Sequence, residues 1–137
     1  MTIGINAAAA IKQPRTGVEE YTYQLIKHLT MLPEAREHRF LLYLPPVSEK
    51  PIFDFPLPKN FAVKELKWPL ELLWTQIRLA WEMLINPPNI LFIPVHVLPL
   101  FHPKNSVVAI HGLEYEHYPQ YYPAWHRTYL RWVTKYS

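Results

Sequence analysis

The chain has 137 residues, no cysteine and a formal charge of +3; half of it is hydrophobic, 15% aromatic and only 18% charged. That balance excludes a disordered polypeptide, and the length supports one domain with a sizeable core. The 14 Lys and Arg are scattered among 11 acids, which argues against nucleic acid as a partner and favours anionic small ligands or an anionic membrane surface. Without cysteine there is neither a disulfide scaffold nor a thiolate metal site. The opening segment MTIGINAAAA lacks the charged region and apolar core of a signal peptide, and no apolar run is long enough to span a bilayer. The expected location is the cytoplasm, with contact at a membrane surface as an addition.

In chain order, residues 2–6 (TIGIN) read as a first strand, followed by a loop of small residues containing Pro14. Thr16 is placed as a helix N-cap, with Val18, Tyr21, Leu25, Ile26, Leu29 and Leu32 on one face of a helix over 18–32. Residues 40–44 (FLLYL) and 61–66 (FAVKEL) are two further strands, and the proline-rich KPIFDFPLPK between them is expected as a surface excursion. Past Pro69, the residues Leu70, Leu73, Trp74, Ile77, Ala80, Trp81 and Leu84 repeat at helical spacing until Asn86-Pro87-Pro88, and Leu72, Leu79 and Met83 widen the stripe, so this helix is expected to pack on two neighbours. Residues 90–93 (ILFI) and 107–110 (VVAI) are short continuous apolar runs, as expected of strands buried on both faces. A last helix carries Tyr122, Trp125, Tyr129, Trp132, Val133 and Tyr136 on one stripe, with Arg127, Arg131 and Lys135 off it. This alternation specifies an α/β fold: a single Rossmann-like domain with a mostly parallel sheet of about five strands and helices on both faces.

Several constellations could carry chemistry. The turn ending at Thr16-Gly17 opens a helix whose free N–H groups and positive dipole end favour a phosphate or carboxylate, with Lys12 and Arg15 near the same mouth; an ordinary helix entry fits the same residues. His96 and His111 each follow a buried strand and therefore share the carboxyl edge, where open α/β sheets bind their ligands. His111 opens a segment that also holds Glu114, Glu116 and His117, yet no metal-ligand spacing is present. A histidine donating to or accepting from a bound ligand suits that position better. No serine lies in a nucleophile elbow. The aromatic and basic last helix fits a core-facing stripe and a membrane interface equally well.

Taken together, the opening strand IGINA, Thr16-Gly17-Val18 with Tyr21 and Leu25-Ile26, then LFIPVHVLPL, VVAIHGLEYEHYPQYYP and the closing RWVTKYS are similar, in order and spacing, to the N-terminal half of retaining glycosyltransferases of family 4. The resemblance covers essentially the whole chain. It implies the acceptor-side domain of a GT-B fold, lacking its last elements and without the C-terminal donor-binding domain. By position, Gly17, with Thr16 beside it, matches the loop that approaches the donor diphosphate, and His111 matches the catalytic-site histidine near the transferred sugar. His96, Glu114 and Glu116 would line the acceptor or sugar side. The resemblance also implies a nucleotide-sugar donor as substrate, a sugar or lipid-linked acceptor, no metal and no further cofactor. The missing donor domain, or a partner chain, would have to complete the site, so the chain alone is expected to be inactive or nearly so. The family's loop often carries a second glycine; here position 19 is Glu19. The alternative expectation is a non-catalytic assembly module of the same fold, self-associating as a homo-oligomer through an unpaired sheet edge.

Overall fold

The computed structural model describes residues 1–48, 51–69, 73–95, 97–112, 119–121, 123–124, 127–128 and 131. Five strands, β1 (Thr2–Asn6), β2 (Arg39–Leu44), β3 (Phe61–Glu65), β4 (Ile90–Ile93) and β5 (Ser106–Val108), form one sheet in the order β3-β2-β1-β4-β5. Every pairing is parallel, with Ile3 opposite both Phe40 and Ile90 and Phe92 opposite Val107. Two helices flank the sheet, α1 (Gly17–Met31) and α2 (Ala80–Ile85). α2 continues directly from a wider π-helical segment, Trp74–Leu79. The expected α/β Rossmann-like class, with cover on both faces, is what the chain adopts.

The central strands β1, β2 and β4 are largely apolar because both of their faces are covered. On β2, Phe40, Leu42 and Leu44 enter one core with Ile5, Tyr23, Ile26 and Phe53, while Tyr43 enters a second with Trp74, Leu79, Met83, Leu91 and Ile93. α1 belongs to the first core and the π–α2 helix to the second. Gly4 faces the second core without room for a side chain: an added Cβ would lie 2.7 Å from Tyr43 Cε2 and 2.8 Å from Pro88 Cγ.

Four expectations need correction. The proline-rich segment is not merely a surface excursion: Phe53 is buried, Ile52, Phe55 and Leu57 pack against the first core, and the Phe55 ring meets the Tyr23 ring edge-on at 5.5 Å. It covers the sheet where a crossover helix would otherwise lie, since prolines forbid that helix. Next, α1 starts at Gly17 and turns Thr22, Tyr23 and Ile26 inward, leaving Tyr21 and Leu32 exposed. Tyr23 is held there by its hydroxyl, which donates to the Asp54 carboxylate, and by the Arg15 guanidinium, 3.7 Å over its ring.

The third correction concerns the second helix. Leu79, Ala80, Glu82 and Met83 face the core, whereas Leu73, Ile77, Trp81 and Leu84 are exposed. The π turn is wider than an α turn, so side chains leave the 3.6-residue phase that defined the expected stripe. Leu73 also enters it in the left-handed backbone region, at φ 63°. Finally, β5 is shorter than expected and is not buried on both faces, with Val107 and Ile110 about half exposed. No described element covers its α1 side. The stripe residues Tyr122, Trp125, Tyr129, Trp132, Val133 and Tyr136 of the last helix, and Leu70 and Leu72 of the second, lie outside the described residues.

Candidate functional site at the strand carboxyl edge

The strand order reverses at β1: its crossover through α1 leads to β2 on one side, while β4 and β5 build out on the other. A sheet that reverses in this way leaves a crevice beyond the carboxyl ends of the two strands flanking the reversal, here β1 and β4. The groups at that edge are the loop after β1, the start of α1, Pro94 just past β4 and the segment past β5.

At the end of β1, Asn6 is buried and its Oδ1 accepts from the Ala8 N–H at 3.2 Å, which turns the chain sharply into the short helical turn Ala8–Ile11. The small alanines there let the backbone run close over the sheet, with Ala7 N–H donating to Tyr43 O at 3.0 Å. The loop then reaches Thr16, whose backbone N–H donates to Glu19 Oε2 at 3.2 Å and whose hydroxyl donates to the same carboxylate. This is a capping box, and the Thr16 hydrogen bond holds the Glu19 carboxyl below its ordinary pKa. Glu19, the departure from a second glycine, therefore serves the helix start itself. Gly17 meets nothing: a Cβ there would have no neighbour within 4 Å. Arg15 is engaged with the Tyr23 ring and lies 3.8 Å from Glu20, so much of its charge is spent inside the loop.

His111 sits across this crevice. Its Nε2 is 2.6 Å from the Pro94 carbonyl, and its ring meets Tyr21 edge-on at 4.7 Å. A carbonyl only accepts, so Nε2 carries the hydrogen of that contact. The one side chain thus joins the end of β4, the second turn of α1 and the chain leaving β5. Ala109 N–H donates to Ile93 O at 2.9 Å and carries the ladder almost to His111. Thr16, Gly17 and His111 are brought to one edge, as their positions after strands β1 and β5 suggested. His96, Glu114 and Glu116, together with His117, lie outside the described residues.

Sequence reasoning missed a buried ionic cluster under the second helix. Glu82 is 2% exposed; its carboxylate accepts from Lys64 Nζ at 2.5 Å, from Arg78 at 3.2 Å and from Asn86 Nδ2 at 3.2 Å. Burial pushes its pKa upward, but these three donors together win and hold it below the ordinary value. The Tyr43 hydroxyl is buried without a hydrogen-bond partner, and burial, helped by the Glu82 charge, pushes its pKa up to about 12. Glu82 and Arg78 stand four apart on a helix, a signal that marks a surface pair as readily as a buried one. Among the described residues, no three His, Asp or Glu side chains converge as a metal site would require, and no helix is long and apolar enough to cross a membrane.

No family model, curated protein or solved structure matches this chain.

Proposed function

We propose that the chain is the acceptor-side half of a retaining glycosyltransferase, moving a sugar from a nucleotide-sugar donor to an acceptor hydroxyl on a sugar or lipid-linked acceptor. The observation that carries the reading is the position of His111, bridging Pro94 and Tyr21 at the point where the strand order reverses. This is where ligands of open α/β sheets lie, and the order of motifs along the chain supports the same assignment. In this reading His111 contacts the transferring sugar while its Nε2 contact with Pro94 keeps the ring anchored. Gly17, with no side chain and open space before it, admits the diphosphate against the first N–H groups of α1. Thr16 beside it keeps the helix start in place. A second, donor-holding domain supplies the remaining cationic groups that stabilise the leaving diphosphate.

The test is a transfer assay with nucleotide sugars, run on the chain alone and on the chain with a donor-holding domain. Transfer is expected only in the second mixture and is expected to fall about a hundredfold or more in His111→Ala, since mispositioning a reacting sugar carries that scale of loss. Transfer by neither mixture overturns the reading.

A second reading, a non-catalytic assembly module, is favoured by one observation: the Glu19 carboxylate already occupies the α1 start that a donor diphosphate would use. In that case light scattering finds a stable homo-oligomer, and nucleotide sugars leave it unchanged.

A further inference from the structure

The outer side of the π–α2 helix is an apolar surface that no described element covers. Trp81 is 57% exposed, Phe101 54%, Leu84 52% and Ile77 43%. With Trp68 they line a groove of about 530 Å³, and no carboxylate stands among its described lining residues. The groove is a built feature: the Gln76 side chain donates to Leu98 O at 3.0 Å and accepts from Leu100 N–H at 3.1 Å, which ties the loop carrying Phe101 to the helix. The one acid of the helix, Glu82, points the other way and is consumed by Lys64 and Arg78.

Charge selects among occupants. Exposed Lys67 directly precedes Trp68 and exposed Lys104 follows three residues after Phe101, while Arg78, which lines the groove, is paired with Glu82. Two copies of this face meeting about a two-fold axis would bring Lys67 and Lys104 toward their own counterparts, with no carboxylate among the described groove residues to offset them. A surface that is apolar at its centre, edged by Trp and Phe and flanked by Lys matches the interface of a bilayer carrying anionic headgroups. We infer that this face docks on an anionic membrane surface, with Ile77, Trp81, Leu84 and Phe101 entering the headgroup boundary and Lys67 and Lys104 meeting the lipid charge. The inference stands on this face alone and does not depend on glycosyl transfer.

The experiment is co-sedimentation with phosphatidylcholine vesicles with and without phosphatidylserine, paired with light scattering of the protein alone. Binding is expected with phosphatidylserine, weakening as salt rises, with a blue shift of tryptophan emission. Trp81→Glu and Leu84→Glu, both at exposed positions, should each lower the partition constant about tenfold, the loss of one large apolar side chain from the interface. Their thermal melts should match the parent. Lys67→Glu combined with Lys104→Glu should abolish the preference for phosphatidylserine. Absence of binding, equal binding to neutral vesicles, or binding indifferent to Trp81→Glu and Leu84→Glu overturns the inference. A dimer that Trp81→Glu dissociates would do so as well, assigning the face to a second copy.

Discussion

The two helices that cover the sheet translate their sequences into buried faces by different rules. α1 keeps regular α geometry and a sealed start, and Ile26 from its apolar stripe is fully buried in the first core. The second helix begins as a π segment; Trp74 and Ala80 of its stripe are buried, but Ile77, Trp81 and Leu84 end in solvent, while the acid Glu82 goes inside. An apolar repeat therefore reports a buried face only where the helix keeps the period that the repeat assumes. At a phase shift, the displaced hydrophobes become a surface, and the residue rotated inward needs partners, which Lys64, Arg78 and Asn86 supply.

The sharpest way to break this contrast is a pair of matched truncations. Ile26→Ala in α1 should cost about 4 kcal/mol through lost burial and a residual cavity, whereas Ile77→Ala should cost no more than about 0.5 kcal/mol, the usual range for an exposed position. Urea denaturation of both variants measures the difference, and equal losses would mean that the second helix buries the stripe after all.

Next in size is Glu82→Ala, expected to cost about 3 kcal/mol, because two cations and an amide lose the anion they surround. Its pH dependence has a defined sign. The folded pKa of Glu82 lies below its ordinary value of 4.5, so its contribution is complete above 4.5 and is lost as pH falls through the lower folded value. Parent and variant stabilities should therefore converge in acid. A gap that stayed constant below pH 4.5 would show that the carboxylate charge is not what stabilises the second helix.

Smaller effects are expected at the start of α1. Thr16→Ala should cost about 1 kcal/mol by opening the capping box, read from the thermal midpoint. Gly17→Ala should change stability by less than about 0.5 kcal/mol, because a Cβ there meets nothing. That near-neutrality makes it the cleaner probe of ligand approach, since any loss of donor binding in Gly17→Ala cannot be charged to unfolding.

Much of the sheet was legible in the sequence because it depends on short apolar runs separated by proline-rich connections. β1 and β4 have the bounds that TIGIN and ILFI suggest, and His111 reaches the carboxyl edge because an apolar run carries it there. What could not be read depends on geometry beyond the local period. The π turn is invisible in a stripe that fits an α-helix equally well, and the inward path of Phe53 is masked by the prolines around it. The partnership of Lys64 with Glu82 joins residues 18 apart in the chain. Glu19 was legible as a break in a glycine pattern but not as the second half of a capping box, although Thr16 three residues earlier carried that signal.

The proposal that the crevice at His111 receives a nucleotide-linked sugar is tested most directly by following backbone amide shifts of the chain while it is titrated with nucleoside diphosphate sugars. The prediction is a set of saturating shifts confined to Gly17, Val18, Tyr21, His111 and Gly112, reduced in both His111→Ala and Gly17→Ala. Shifts absent from these residues, or gathered instead on the Trp81 face, would contradict it.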